Sequence, residues 1–248
     1  MRAWYLLRLV VHLAAGLATC IVVFPLADGR RRDLLVRRWS VQLLRICGVQ
    51  VRTRVPAGIN DSEPALIVSN HISWLDIFVI NARQPCRFVA KSDIRDWPLV
   101  GFLCEKAGTV FIARGRQRDV RRIYQGLVAS VRDGERVAFF PEGTTATQGT
   151  VLPFHANLFE AAIEAGVPVH PYAVRYVDQA GALHAAADFV GDTTFAQSVM
   201  TILASRDLIA EVTLLPPIPT ANAHRRDLAD AARAAIAEAL AARPDPVP

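Results

Sequence analysis

The chain has 248 residues, 52% of them hydrophobic, and a net charge of +5. That length supports one large domain with a sizeable core. Four cysteines without a C-x-x-C pair, each among apolar residues, indicate neither a zinc site nor a disulfide framework, and unpaired thiols suit a reducing, cytoplasmic exposure.

Residues 9–27, LVVHLAAGLATCIVVFPLA, form an apolar run that just reaches the roughly 20 residues a bilayer-spanning helix needs. The run exceeds the ~7–15 apolar residues of a secretory signal, and no small-x-small site closes it. Next, Leu35, Trp39, Leu43 and Ile46 recur at helical spacing, with Arg38, Gln42 and Arg45 on the other side. A basic amphipathic helix of this kind suits the headgroup region of a membrane. A surface helix packed on the rest of the chain would carry the same pattern. Arg30, Arg31, Arg32, Arg37 and Arg38 put this side in the cytoplasm by the positive-inside rule. Residues 1–48 are therefore expected to anchor the chain to the inner, cytoplasmic membrane, spanning or monotopic. A mean hydropathy of +0.25 agrees with membrane contact, and the basic balance suits an anionic membrane surface or another phosphate-bearing partner.

From about residue 49, short β-rich runs alternate with helical stretches. ALIVSN (65–70), RFVAK (87–91), TVFIAR (109–114), RVAFFPEG (136–143) and VPVHPYAVRYV (167–177) read as strands. Between them, helices start near Pro98 and stop at Gly108, Gly134 and Gly166. Later, TFAQSVMTILA reads as a helix and LIAEVTLLPPI as a strand. Leu228, Ala232, Ile236 and Leu240 give a C-terminal helix one apolar face. This alternation predicts an α/β fold with a mostly parallel central sheet flanked by helices. A single α/β domain would then run over 49–242, with 243–248 (RPDPVP) a disordered tail.

The stretch NHISWLDI holds His71 and Asp76 five positions apart, about 140° around a continuous helix. A strand ending at Asn70 removes the conflict. His71 then lies in the turn, Asp76 in the first turn of the next helix, and strand ends line the crevice of open α/β sheets. Ser73-x-x-Asp76 also reads as a capping box, which explains both residues without chemistry. Two further strand ends bring Arg114 (GTVFIAR) and Glu142-Gly143-Thr144-Thr145 (FPEGTT) toward the same edge. A fourth block, VPVHP, carries His170.

Together these blocks resemble the signatures of the glycerolipid acyltransferase family, of 1-acylglycerol-3-phosphate acyltransferase type. The matching patterns are N-H-x-S-x-x-D, G-x-x-F-I-x-R, F-P-E-G-T and V-P-[VI]-x-P, over about residues 65–175. The resemblance implies attack of a lipid hydroxyl on an acyl thioester, from acyl-CoA or acyl-carrier protein, with no metal, no other cofactor and no nucleic acid. His71 is the expected general base and Asp76 the residue that fixes its tautomer. No G-x-S-x-G elbow is present, so direct transfer is expected rather than a serine acyl-enzyme, with Ser73 as a helix cap. Arg114 is expected to hold the acceptor's phosphate, with Lys91 as a second cation. Glu142 would bind acceptor hydroxyls or support its loop. Gly143 permits a tight turn that lets the N–H groups of Thr144 and Thr145 face an anion. The cluster Arg114, Arg116, Arg118, Arg121 and Arg122 is either a solvated helix face or a site for headgroups, coenzyme A phosphates or an acidic carrier protein. His155 stands where the family often has lysine, and carries no assigned role.

Many phosphatidate-forming relatives read F-P-E-G-T-R, whereas this chain has Thr145. Members that acylate lyso-ornithine lipid tend to read F-P-E-G-T-T, and NHISWLDI and RFVAK resemble that branch. The sequence reading is a lysophospholipid acceptor, with lyso-ornithine lipid as the alternative. A lipid hydrolase built on Ser73, His71 and Asp76, and a non-catalytic membrane-binding protein, are the competing classes.

Overall fold

The computed structural model describes residues 2–59, 63–97, 100–112 and 117–242, without the side chains of Lys91, Val100 and residues 117–123. The expectations for Arg114, Arg116, Pro98 and the 243–248 tail, and for the side chains of Lys91, Arg118, Arg121 and Arg122, lie outside the described residues.

Two helices open the chain. Helix α1 (Arg2–Val22) is the one described helix long and apolar enough to cross a membrane. Its Leu9, His12, Gly16 and Cys20, spaced three and four apart, form a single buried stripe. Helix α2 (Gly29–Cys47) starts at Asp28, whose carboxylate accepts the Arg31 N–H at 2.8 Å. It stops at Gly48, where φ is +76° and a Cβ would sit 2.9 Å from the Cα of Arg206. Leu43, Leu44, Ile46 and Cys47 of α2 are buried in the main core with Leu75, Val79 and Ile80. The apolar stripe of α2 thus turns into the domain, the packed-helix form of the sequence pattern, and residue 48 is no seam in the fold. The arginines Arg30, Arg31, Arg32, Arg37, Arg38 and Arg45 remain exposed.

Seven strands follow: β1 (Gln50–Arg54), β2 (Leu66–Ser69), β3 (Arg87–Lys91), β4 (Val110–Ile112), β5 (Val137–Phe139), β6 (Val169–Val177) and β7 (Ile209–Leu214). They form one sheet in the order β1-β7-β6-β2-β5-β3-β4. All neighbours are parallel except β6 and β7, so the sheet is mostly parallel, as the alternation predicts. β1 was not among the predicted strands. Its QVRTR places two arginines on an edge strand with no buried residue, a weak apolar signal.

The remaining helices are α3 (Leu75–Arg83), α4 (Val100–Lys106), α5 (Gln117–Arg132), α6 (Glu160–Ala165), α7 (Phe195–Ser205) and α8 (Arg225–Ala241). Side chains of α2, α3 and α7 pack on one face of the sheet with Ile67 and Ala138. Those of α5, α6 and α8 pack on the other with Leu66, Val68, Val137 and Phe139. Strand alternation sends neighbouring residues to opposite layers.

The connectivity places the site. From β2 the chain crosses toward β3, and from the adjacent β5 it crosses toward β6 on the other side. Departures in opposite directions from neighbouring parallel strands open a crevice beyond their carboxyl ends. The register Val68↔Phe139 brings the residues after both strands, His71 and Glu142, to that crevice together.

Candidate active site

His71 leaves β2 after Asn70, which fixes the end of the strand. The Asn70 amide donates to the Val174 carbonyl and accepts the Val174 N–H, both at 2.8 Å. Two bonds from one side chain to one backbone unit hold the β2 exit rigidly against β6.

Asp76 lies in the first turn of α3 and is fully buried. Its Oδ2 accepts from His71 Nδ1 at 2.8 Å, Ile72 N at 2.7 Å and Ser73 N at 2.9 Å. Its Oδ1 accepts from the Tyr176 hydroxyl at 2.6 Å. A buried carboxylate is tolerable only with such a full set of donors. A carboxylate can only accept, so Nδ1 of His71 carries a proton, and in the neutral imidazole Nε2 keeps its lone pair. The His71 ring stacks on Phe140, centroids 4.0 Å apart, and lines a cavity of about 1270 Å³.

Ser73 corrects an expectation. The helix starts at Leu75, and the Ser73 hydroxyl is buried with no hydrogen-bond partner among the described residues. It therefore does not cap α3. The carboxylate makes only its own half of the capping box, bonding back to the Ser73 N–H, and spends the rest of its capacity on His71 and Tyr176. Nor is Ser73 placed as a nucleophile, since its oxygen is closed off from solvent.

Glu142 is buried, and both oxygens are taken by backbone. Oε1 accepts the His71 N–H at 2.8 Å and Oε2 the Leu152 N–H at 2.9 Å. Of its two expected roles, the geometry is that of loop support. Burial pushes the Glu142 carboxyl above its usual range, against the pull of the two N–H groups. The loop is tied again by the Ala146 N–H donating to the His71 carbonyl at 2.8 Å. Gly143 takes φ +67°, and a Cβ there would lie 3.3 Å from His155 Cδ2. Thr145 Oγ1 donates to the Phe189 carbonyl. Thr144, Thr145 and His155 line the same cavity as His71. Glu142→Gln would aim an amide N–H₂ at a backbone N–H. The loss is expected to be about 1.5–3 kcal/mol, read as a lower melting temperature at neutral pH.

The cavity is largely walled by apolar side chains, including Leu9 and Leu13 of α1, Leu43 of α2, and Trp74, Phe78, Phe88 and Phe195. Sequence reading missed α1 as a wall, Phe140 as the stacking partner and Tyr176 as the second anchor of Asp76. Phe140 heads the FPEGTT block and was the one with a local signal.

A histidine fixed by a buried carboxylate at the side of a large apolar cavity equips an enzyme for acyl lipids. Comparison with known proteins narrows this class. A family model described as Acyltransferase matches residues 49–175. The chain is 37% identical over 234 residues to the lyso-ornithine lipid O-acyltransferase of Pseudomonas aeruginosa, covering 93% of this chain and 89% of that protein. It is 38% identical over 154 residues to the 1-acyl-sn-glycerol-3-phosphate acyltransferase of Neisseria meningitidis serogroup B, covering 62% of this chain and 59% of that one. Its fold matches the crystal structure of the 1-acyl-sn-glycerophosphate acyltransferase of Thermotoga maritima, with a TM-score of 0.65, 18% identity, and 99% and 100% of the two chains covered. The chain belongs to the glycerolipid acyltransferase family and is an acyltransferase.

Proposed function

We propose that the protein transfers an acyl chain from a thioester to the free hydroxyl of a membrane lysolipid, with His71 as general base. The observation that carries this reading is the 2.8 Å bond between His71 Nδ1 and the buried Asp76, beside the apolar cavity. Nε2 of His71 takes the proton of the acceptor hydroxyl as its oxygen bonds to the thioester carbonyl carbon. Asp76 stabilises the imidazolium that forms. Collapse of the tetrahedral intermediate breaks the C–S bond, and the imidazolium returns its proton to the thiolate. The products are an ester and a free thiol, on coenzyme A or an acyl-carrier protein, with no metal or further cofactor in any step. Thr144 and Thr145, with Gly143 between them and Glu142, border the reacting groups. Arg114 and Lys91 remain the proposed cations for an acceptor phosphate.

Lyso-ornithine lipid and lysophosphatidate both fit the relatives. Similarity over nine-tenths of the chain favours the first. So does Thr145, which turns its hydroxyl to Phe189 where phosphatidate-forming relatives often carry arginine. The cavity is also lined by Glu160, Glu164 and Arg225, charges that suit a zwitterionic headgroup. The Neisseria relatives and Arg114 support lysophosphatidate as the second reading.

The working place is the cytoplasmic surface of the inner membrane. Leu7, Val10, Val11 and Val22 of α1 are each more than half exposed, beside the exposed arginines of α2. Apolar and cationic surfaces side by side suit an anionic bilayer.

The test offers the purified protein each lysolipid with each thioester in detergent-lipid micelles. Lyso-ornithine lipid is expected to turn over at least tenfold faster than lysophosphatidate. Turnover of lysophosphatidate alone reverses the preference, and turnover of neither removes the reading.

A further inference from the structure

We propose that Tyr176 is a positioning residue for the His71–Asp76 pair: its hydroxyl holds Oδ1 of Asp76 so that Oδ2 stays aimed at Nδ1 of His71. The proposal rests on acyl transfer by His71.

The geometry divides the carboxylate into two halves. Three donors converge on Oδ2, two of them backbone N–H groups from the turn that carries His71. Oδ1 has the Tyr176 hydroxyl at 2.6 Å. The Asp76 side chain is closed to solvent, so water does not replace that donor cheaply. Without it, Oδ1 is a buried anion's oxygen with no partner. The carboxylate then turns to find one, or takes up a proton, and either change removes the fixed anion from Nδ1.

Tyr176 is itself well held. It is fully buried, its N–H donates to the Gln148 side-chain oxygen at 2.6 Å, and its strand pairs with β7 at Ala210. Two residues earlier, Val174 takes both bonds of Asn70. The β2 exit, the first turn of α3 and the C-terminal half of β6 therefore form one frame, with His71 and Asp76 inside it. Burial, and then the charge of Asp76, push the Tyr176 phenol well above its usual range, so it remains a donor. Among the described residues, the ionisable side chains hydrogen-bonded to the pair are Tyr176 on β6 and Glu142 after β5. A phenylalanine would fill the same core space. The hydroxyl adds one contact, to the carboxylate that serves His71.

The test is Tyr176→Phe in the full chain, assayed for acyl transfer with varied acceptor and donor. A lost hydrogen bond to a charged group predicts a kcat roughly 10- to 100-fold lower, with both KM values unchanged. In an Asp76→Asn background the same change is expected to alter kcat less than about threefold, because the anion it positions is gone. A residue that only packs would lower the melting temperature, leave kcat alone, and act equally in both backgrounds; that result overturns the proposal. Should Tyr176→Phe not fold, a series of fluorotyrosines at position 176 keeps the hydroxyl and varies its acidity. There kcat is expected to follow the acidity at constant KM, and a flat series overturns the proposal. A folded His71→Ala protein with wild-type rate would instead remove the base, and this assignment with it, whatever Tyr176→Phe does.

Discussion

His71→Ala is expected to lower kcat by about 100- to 10,000-fold, the usual contribution of a positioned acid–base group, while the protein stays folded. The structure supports both halves of that result. Nδ1 is committed to Asp76, so Nε2 is the nitrogen left for a substrate at the cavity. The ring lies against Phe140 at the cavity wall, with 18% of its side chain exposed. Its removal therefore enlarges an existing space and opens no sealed hole in the core. Asp76 keeps Ile72 N, Ser73 N and Tyr176 as donors. Circular dichroism and thermal melting check the fold, and steady-state transfer checks the rate. A folded variant within tenfold of wild type would falsify the assignment of His71 as base.

Asp76→Asn is the second large effect, and it separates charge from geometry. An amide can satisfy nearly the same surroundings. Its oxygen can take the place of Oδ2 and accept from His71 Nδ1, Ile72 N and Ser73 N. Its N–H₂ then faces the Tyr176 oxygen, which turns from donor to acceptor. The variant should therefore fold and keep the histidine tautomer. It loses the negative charge that stabilises the imidazolium, and kcat is expected to fall about 100-fold or more. Both KM values should hold, since Asp76 is buried and does not line the cavity. A small drop in kcat with a large rise in KM would instead mean that Asp76 shapes the binding site.

Much of the scaffold was legible because its signals are local. RFVAK is β3 residue for residue, and Leu228, Ala232 and Ile236 are the buried face of α8. The His71–Asp76 pair could be read because five residues and one strand end determine it. Three features could not. The antiparallel pairing of β6 with β7 depends on which edge a distant strand joins, and LIAEVTLLPPI looks alike in either direction. Glu142 is a carboxylate in a motif, and only the fold turns both its oxygens onto backbone N–H groups. Tyr176 lies 100 residues from Asp76, so no spacing rule links them. The stripe of α2 was visible, but a membrane and a protein core are equally apolar to a sequence pattern. Leu43, Leu44, Ile46 and Cys47 took the core.

Helix α1 presents Leu9, Leu13 and Gly16 to the cavity and Leu7, Val10 and Val11 to the outside. The width of one helix thus separates the proposed reaction cavity from the surroundings. Trimming the N-terminus to obtain a better-behaved protein would therefore unroof this cavity, and cutting at residue 48 would also strip the buried α2 side chains Leu43, Leu44, Ile46 and Cys47 from the core. A water-soluble version has to be made by repainting the outer side of α1 with polar residues. The inner side, with Gly16 pressed against Trp39, has to stay as it is.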